Sequence, residues 1–149
     1  MRKKRNPIDS DDPFELNRFI NAQDRVYDRV LTELRHGEKR SHWMWYVFPQ
    51  IDGLGFSATT KHYAMKSIGE ARAFLKHTVL GKRLEECTEA VLAVEGRSVS
   101  EIFGYPDDLK FKSSMTLFAC ITDRGSVFNR ALDKYFNGKQ DDKTLQILK

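Results

Sequence analysis

DPFELNRFINAQDRVYDRVLTELRHG, the sequence of residues 12–37, carries the strongest structural signal in this chain. Its apolar residues recur at steps of three and four, which places them on one face of a helix. They are Leu16, Phe19, Ile20, Val26, Tyr27, Val30, Leu31 and Leu34. Asp12 is a suitable N-cap, Pro13 a suitable first helical residue, and Glu15 an acid that can reach back to the cap. The stretch therefore predicts one amphipathic helix of about six turns, ended by Gly37.

Helical signals continue to the end of the chain. Ser67 and Ser98 each stand three residues before a glutamate, as in a capping box, and glycines at 96, 104 and 138 each follow a periodic run. The further apolar stripes are Leu80, Leu84, Cys87, Val91 and Val94, then Phe111, Met115, Phe118 and Ile121, then Val127, Phe128, Leu132, Tyr135 and Phe136. Neither an alternating strand pattern nor a fixed-period repeat is present. We therefore predict an all-α fold, a multihelical single globular domain over residues 13–149.

The composition is that of one soluble domain, with 40% of the residues hydrophobic and 31% charged. A chain of this length can bury a full core without a metal or a disulfide. No apolar run approaches the ~20 residues of a membrane span, and the N-terminus does not resemble a secretory signal. We therefore expect a cytoplasmic protein with no membrane contact.

The net charge of +4 originates at the N-terminus. Residues 1–5 carry four basic side chains and no acid, which leaves 21 basic and 21 acidic residues in the rest of the chain. A formally neutral body lacks the broad basic surface that binding to a phosphate backbone requires, which disfavours nucleic acid as a partner. Residues 1–12 are predicted to be a disordered basic tail, and deleting residues 1–5 is expected to leave the melting temperature nearly unchanged.

Cysteine and histidine give no metal signature. Cys87 and Cys120 lie in apolar, helix-patterned stretches, where a free thiol behaves as a small hydrophobe. The four histidines, at positions 36, 42, 62 and 77, do not show the spacing of zinc ligands. We therefore predict no metal site and no cofactor.

The aromatic segment from Glu38 to Gly55 is the least ordinary part of the sequence. Both tryptophans, Tyr46 and a phenylalanine lie within six residues, and because residues two apart in a helix point in nearly opposite directions, Trp43 and Trp45 cannot share one face. At least one of the two is expected at a crevice or the surface. With Arg40 and His42 beside them, the rings can stack a base and hold a phosphate. The alternative is a short buried helix that begins at Ser41 and stops before Pro49.

A second polar concentration, residues 107–116, opens a helix after Pro106. Asp107 and Asp108 complement the helix dipole there, and Asp108 can pair with Lys112 one turn on. The alternative is a ligand wall to which Lys110 and Ser114 contribute. His62 and Glu95 are open to the same two interpretations, since a lone histidine is often structural and an acid at a helix end often faces water.

These motifs resemble the domain of unknown function 1810 family. The resemblance is carried by the run from Arg40 to Gln50, the Gly53-Leu54-Gly55 loop, Ile102-Phe103-Gly104, and Asp107 through Phe118, and it spans the chain from about Phe14 to Leu148. It implies a bacterial, single-domain, mainly α-helical protein and no established activity. Some members of that family are labelled calpastatin, and nothing in this sequence supports the label.

A slighter resemblance is to the NADAR proteins, which are linked to NAD and ADP-ribose metabolism and include N-glycosidases. It is carried by Phe48, by His62-Tyr63 followed by Lys66, by Asp108 with Lys110, and by Met115. Lys61 stands where that pattern has an acidic residue. The resemblance implies a phosphorylated nucleoside as the ligand.

Two functional hypotheses follow. In the first, one crevice binds a nucleotide-like or ADP-ribose-type anionic small molecule, and the segments from Arg40 to Tyr46 and from Lys110 to Ser114 meet across it. The residues predicted to contact the ligand are Arg40, His42, Trp43, Trp45, Tyr46, His62, Lys110 and Ser114. Asp107, Asp108 or Glu95 would then serve as acid or base in hydrolysis of an N-glycosidic bond. In the second, the domain is a non-enzymatic adaptor with an exposed aromatic docking surface.

Overall fold

The computed structural model describes residues 12–149, and within this range the chain forms helices and no β-strand. The helices are α1 (Asn17–Asp24), α2 (Tyr27–Arg35), α3 (Met44–Val47), α4 (Ala58–Tyr63), α5 (Ile68–Lys76), α6 (Leu80–Leu92), α7 (Val99–Phe103), α8 (Asp107–Ala119), α9 (Val127–Phe136) and α10 (Asp142–Leu148). One isolated parallel bridge joins Ile51 to Met65. The predicted all-α, multihelical domain is confirmed. The predicted basic tail lies outside the described residues except for Asp12, which is part of the folded domain.

The single six-turn helix predicted from the first stretch is wrong. The helix begins at Asn17, and it is interrupted at Val26, whose backbone angles of φ −133° and ψ 0° are not helical. Leu16 and not Asp12 is the N-cap residue, and Pro13 lies outside the helix. The Asp12 carboxylate still accepts hydrogen bonds from the backbone N–H groups of Leu16 at 2.6 Å and Asn17 at 3.0 Å, at the start of α1. Glu15 does not reach back to Asp12; its φ of 55° is left-handed, so the chain turns before the helix starts.

The two predicted capping boxes differ. Ser98 and Glu101 form a complete box, with each side chain accepting a hydrogen bond from the other's backbone N–H. Ser67 caps α5 in the same way, but the Glu70 carboxylate instead accepts from the Lys66 backbone N–H and from Arg18. Glu70 is therefore a long-range anchor between α1 and the start of α5.

Helix α8 is the centre of the core and packs against α5, α7, α9 and α10. Phe111 and Phe118 are fully buried, and they link Phe48 on one side to Phe74 and Phe128 on the other. The hydroxyl groups of Ser113 and Thr116 donate to backbone carbonyls four residues earlier, which satisfies them inside the helix.

The two thiols lie in different environments. Cys87 is buried in α6, and burial raises the pKa of its thiol to about 12, so it is an unreactive core residue as predicted. Cys120 follows α8 and is exposed, which makes the prediction of an apolar environment wrong at that position. No helix within residues 12–149 combines the length and apolar character needed to cross a bilayer.

Candidate functional site

The loop before α3 is folded around the buried carboxylate of Glu33. That carboxylate accepts hydrogen bonds from the backbone N–H groups of Arg40 and Ser41, from the Ser41 hydroxyl at 2.6 Å and from the Trp43 indole at 2.9 Å. Burial by itself would raise the pKa of Glu33, but the hydrogen bonds from Ser41, Arg40 and Trp43 outweigh it and lower the pKa to about 2. The hydroxyl of Ser41 thus binds Glu33, and the predicted cap at Ser41 does not form.

Lys39 joins this loop to the start of α8. Its ammonium lies 2.8 Å from Asp107, donates to the Ser41 carbonyl at 2.6 Å, and sits 5.1 Å from the centre of the Trp43 ring. Lys110 lies 3.7 Å from Asp107 and 5.6 Å from the Trp45 ring. We call Glu33, Lys39, Trp43, Trp45, Asp107 and Lys110 the tryptophan cluster. Trp43 is buried and Trp45 half-buried, as their spacing predicted.

The two segments expected to face each other across a pocket therefore touch directly, through Trp45 and Lys110. Arg40, in contrast, points to solvent with 74% of its side chain exposed, and it pairs with Glu38 at 3.0 Å. His42 is exposed, and Ser114 is fully buried with no hydrogen-bond partner for its hydroxyl among residues 12–149.

The three candidate acids are in separate surroundings. Asp107 is held by Lys39 and Lys110. Asp108 is buried and accepts hydrogen bonds from the Ser100 hydroxyl and the Leu109 backbone N–H, in place of the predicted pairing with Lys112. Glu95, with 90% of its side chain exposed, lies 3.8 Å from Lys134 of α9. The contacts of Asp107 and Asp108 are those of residues that hold the start of α8 in place.

An open groove of about 450 Å³ lies where α1, α3 and α4 meet. It is lined by Arg18, Asn21, Ala22, Arg25, Val26, Tyr46, His62 and Tyr63, and we call it the tyrosine groove. The ring centroids of Tyr46 and Tyr63 are 5.3 Å apart, and the His62 ring lies edge-on to Tyr63 at 4.6 Å. Two residues predicted to bind a ligand, Tyr46 and His62, thus meet here, while Lys110 and Ser114 are not part of the lining.

Long-range hydrogen bonds hold the groove in shape. Buried Gln23 donates to the Tyr46 carbonyl at 2.7 Å, which fixes α3 on α1. The Arg18 guanidinium donates to the carbonyls of His62 at 2.8 Å and Ala64 at 3.3 Å and to the Glu70 carboxylate at 2.5 Å. Arg18 therefore ties α1 to α4 and α5, and its hydrogen-bonding capacity is used by the protein itself.

Arg25 is the cation of this groove that stays available. It is exposed at the break between α1 and α2, and it makes no salt bridge within the part of the chain that the structure describes. Burial raises the pKa of the Tyr46 phenol, Tyr63 adds to this, and Arg29 and Arg25 oppose it. The Tyr46 hydroxyl consequently stays protonated at neutral pH, and it donates a hydrogen bond to the His42 carbonyl at 3.4 Å.

The chain is thus a small, all-helical domain whose surface carries an open groove lined by arginine and aromatic side chains. The chain belongs to the family described as Protein of unknown function (DUF1810), whose model matches residues 13–148, in agreement with the first resemblance noted in the sequence. It is similar to the conserved hypothetical protein Rv1873 from Mycobacterium tuberculosis, with 54% identity, coverage of 92% of this chain and 98% of that chain, and a TM-score of 0.90 between the structures. No curated protein matches the chain, and none of these matches is a NADAR protein.

Proposed function

We propose that the tyrosine groove binds a small anionic molecule that carries an aromatic ring, of the nucleotide type. The observation that supports this is the composition of the lining, which has two tyrosines, a histidine and two arginines and no carboxylate. A volume of about 450 Å³ lies within the range of ~300–1,000 Å³ typical of small-molecule sites.

The residues of the groove supply the two kinds of contact that such a ligand needs. Tyr46, Tyr63 and His62 offer ring faces or edges, and stacking of a base on an aromatic side chain contributes about 1–3 kcal/mol. Arg25 offers a planar guanidinium that can bind phosphate through two parallel hydrogen bonds. Asn21 adds a neutral hydrogen-bonding group at the same surface, and the Tyr46 hydroxyl, which donates to the His42 carbonyl at 3.4 Å, adds an acceptor oxygen.

We propose binding and not hydrolysis for this groove. Cleavage of an N-glycosidic bond needs an acid or base within hydrogen-bond reach of the reacting atoms. Asp107, Asp108 and Glu95 do not line the groove, and the first two are engaged by Lys39 and Ser100.

Thermal unfolding with AMP and with adenosine tests the proposal. A ligand at 100 times its dissociation constant stabilises a protein by about 2.7 kcal/mol, so AMP should raise the melting temperature by several degrees and adenosine by much less. Arg25→Ala should weaken AMP binding at least tenfold, since it removes a charge-assisted contact. Arg124→Ala removes another exposed arginine, far along the chain, and serves as the control. Failure of AMP to bind, or equal binding by the Arg25→Ala variant, would overturn the proposal.

A further inference from the structure

A second groove, of about 440 Å³, lies beside the tyrosine groove. The two share Arg18 and His62 as lining residues, so they adjoin along these side chains. The cations of the second groove are Lys61 and Lys66, and we call it the lysine groove. The shared boundary is rigid, because the Arg18 guanidinium is anchored to the carbonyls of Phe14, Glu15 and His62.

The lining of the lysine groove carries three basic side chains, Arg18, Lys61 and Lys66, against two carboxylates. Its two carboxylates belong to Glu15 and Glu70, but Glu70 has only 3% of its side chain exposed and is neutralised by Arg18 at 2.5 Å. Lys61 is exposed, and its ammonium makes no hydrogen bond or salt bridge within residues 12–149. The Lys66 ammonium donates to the Lys61 carbonyl at 2.7 Å and lies 3.7 Å from exposed Asp52, with 53% of its side chain accessible. Glu15 is the accessible carboxylate of the lining, and Asp52, outside the lining, pairs with Lys66. Lys61 is therefore the lysine of this groove that pairs with no carboxylate of residues 12–149.

We propose that the ligand extends from the tyrosine groove past Arg18 and His62, so that a second phosphate lies against Lys61 and Lys66. This inference rests on the proposed function of the tyrosine groove. The ligand class that fits both grooves is a nucleoside 5′-diphosphate, either free or esterified to a further sugar. The base lies on the tyrosines, Arg25 binds the part of the diphosphate nearer the nucleoside, and the lysines bind the outer part. Phe14, 38% exposed in the lysine groove, gives the sugar of an ester an apolar surface to pack on.

Calorimetric titration with AMP, ADP and ADP-ribose tests this extension. ADP and ADP-ribose should bind at least tenfold more tightly than AMP, and the double variant Lys61→Ala/Lys66→Ala should bind ADP only as tightly as AMP while its AMP affinity stays within twofold of the original. Lys139→Ala/Lys143→Ala, which removes two exposed lysines near the C-terminus, is the matched control and should change neither affinity. Tighter binding of ADP-ribose than of ADP would identify the ester, and the reverse order the free diphosphate; both orders support a second phosphate site.

Two failures are distinguishable. If none of the three nucleotides binds, the proposed function of the tyrosine groove is wrong and the extension falls with it. If AMP and ADP bind equally and the lysine double variant changes neither affinity, the tyrosine groove binds nucleotides and only the extension is overturned. The Lys66 ammonium also donates to the Lys61 carbonyl in α4, so removing it alters a structural contact as well. Lys61→Ala alone, which keeps that contact, is therefore the second variant. A lowered affinity for ADP in that variant, with an unchanged melting temperature, separates loss of a contact from loss of structure.

Discussion

The tryptophan cluster and the tyrosine groove contain adjacent residues of α3, Trp45 and Tyr46 respectively. They differ in whether their charged groups are paired within the protein. In the tryptophan cluster the charged groups of Glu33, Lys39 and Asp107 are engaged within the protein. In the tyrosine groove Arg25 has no such partner in residues 12–149, and the lining holds no carboxylate. A dense mixture of aromatic and charged residues is therefore not by itself a sign of a binding site. Hydrogen-bonding groups that have no partner within the protein and lie at an open surface are a better sign.

Removing the carboxylate of the tryptophan cluster should have the largest effect on stability. Glu33→Ala leaves four donors, three of them on the loop at Arg40 and Ser41 and one on the Trp43 indole, without their acceptor. We expect a loss of about 3–5 kcal/mol in the free energy of unfolding, measured by urea denaturation. Glu38→Ala, an exposed acid in the same loop, should shift the unfolding midpoint only slightly. Equal effects of the two substitutions would contradict the conclusion that buried Glu33, unlike exposed Glu38, holds the loop in place.

The same carboxylate should make stability depend on acidity. The pKa of Glu33 is lowered from 4.5 to about 2 in the folded protein, so its contribution is complete above about pH 4.5 and is lost as the pH falls through about 2. The loss amounts to at most about 3 kcal/mol. Urea denaturation of the protein and of Glu33→Gln between pH 5 and pH 2 isolates this contribution, because the other carboxylates are common to both. The stability difference between them should shrink as the pH falls; a constant difference would refute the assignment to Glu33.

The ion pair that joins the cluster to α8 should come next in size. Asp107→Ala leaves the Lys39 ammonium, with 7% of its side chain exposed, without a carboxylate partner. We expect a loss of about 2 kcal/mol in the free energy of unfolding. Adding Lys39→Met should recover part of that loss, because it removes the uncompensated charge. A double-mutant cycle without coupling would show that the pair does not contribute.

Apolar spacing was enough to predict the fold class, since each stripe must be buried against another helix. The break at Val26 was missed because no turn residue marks it locally. Gln23, three residues earlier, is bonded to the Tyr46 carbonyl and the Arg83 side chain, and such distant partners cannot be read from a local pattern. The pattern did contain a weak sign, because the step from Ile20 to Val26 is six positions, longer than any other step in the stripe. Helix caps were partly predictable because they are local, as Ser98 and Glu101 show.

The candidate site was harder to predict because residue types do not reveal their partners. Tyr46 and His62 were identified from the aromatic and histidine motifs, and both line the tyrosine groove. Tyr63, directly after His62, enters the sequence prediction only through the resemblance to the NADAR proteins. Arg25 was missed because a continuous helix would place it on an ordinary solvated face, and only the break at Val26 gives it a special position.

Two substitutions with the smallest expected effects on stability test where the ligand binds. Arg25→Ala and Arg40→Ala both remove exposed arginines, and each should leave the melting temperature of the unliganded protein within roughly 2 °C. Because Arg25 lines the tyrosine groove whereas Arg40 pairs with Glu38 on the loop, only Arg25→Ala should reduce the thermal stabilisation by AMP. The reverse result, with the stabilisation lost in Arg40→Ala and kept in Arg25→Ala, would place the ligand at the tryptophan cluster, as the sequence first suggested. In that case Lys110→Ala should also reduce the thermal stabilisation by AMP, because a ligand at the tryptophan cluster would touch the Lys110 ammonium beside Trp45.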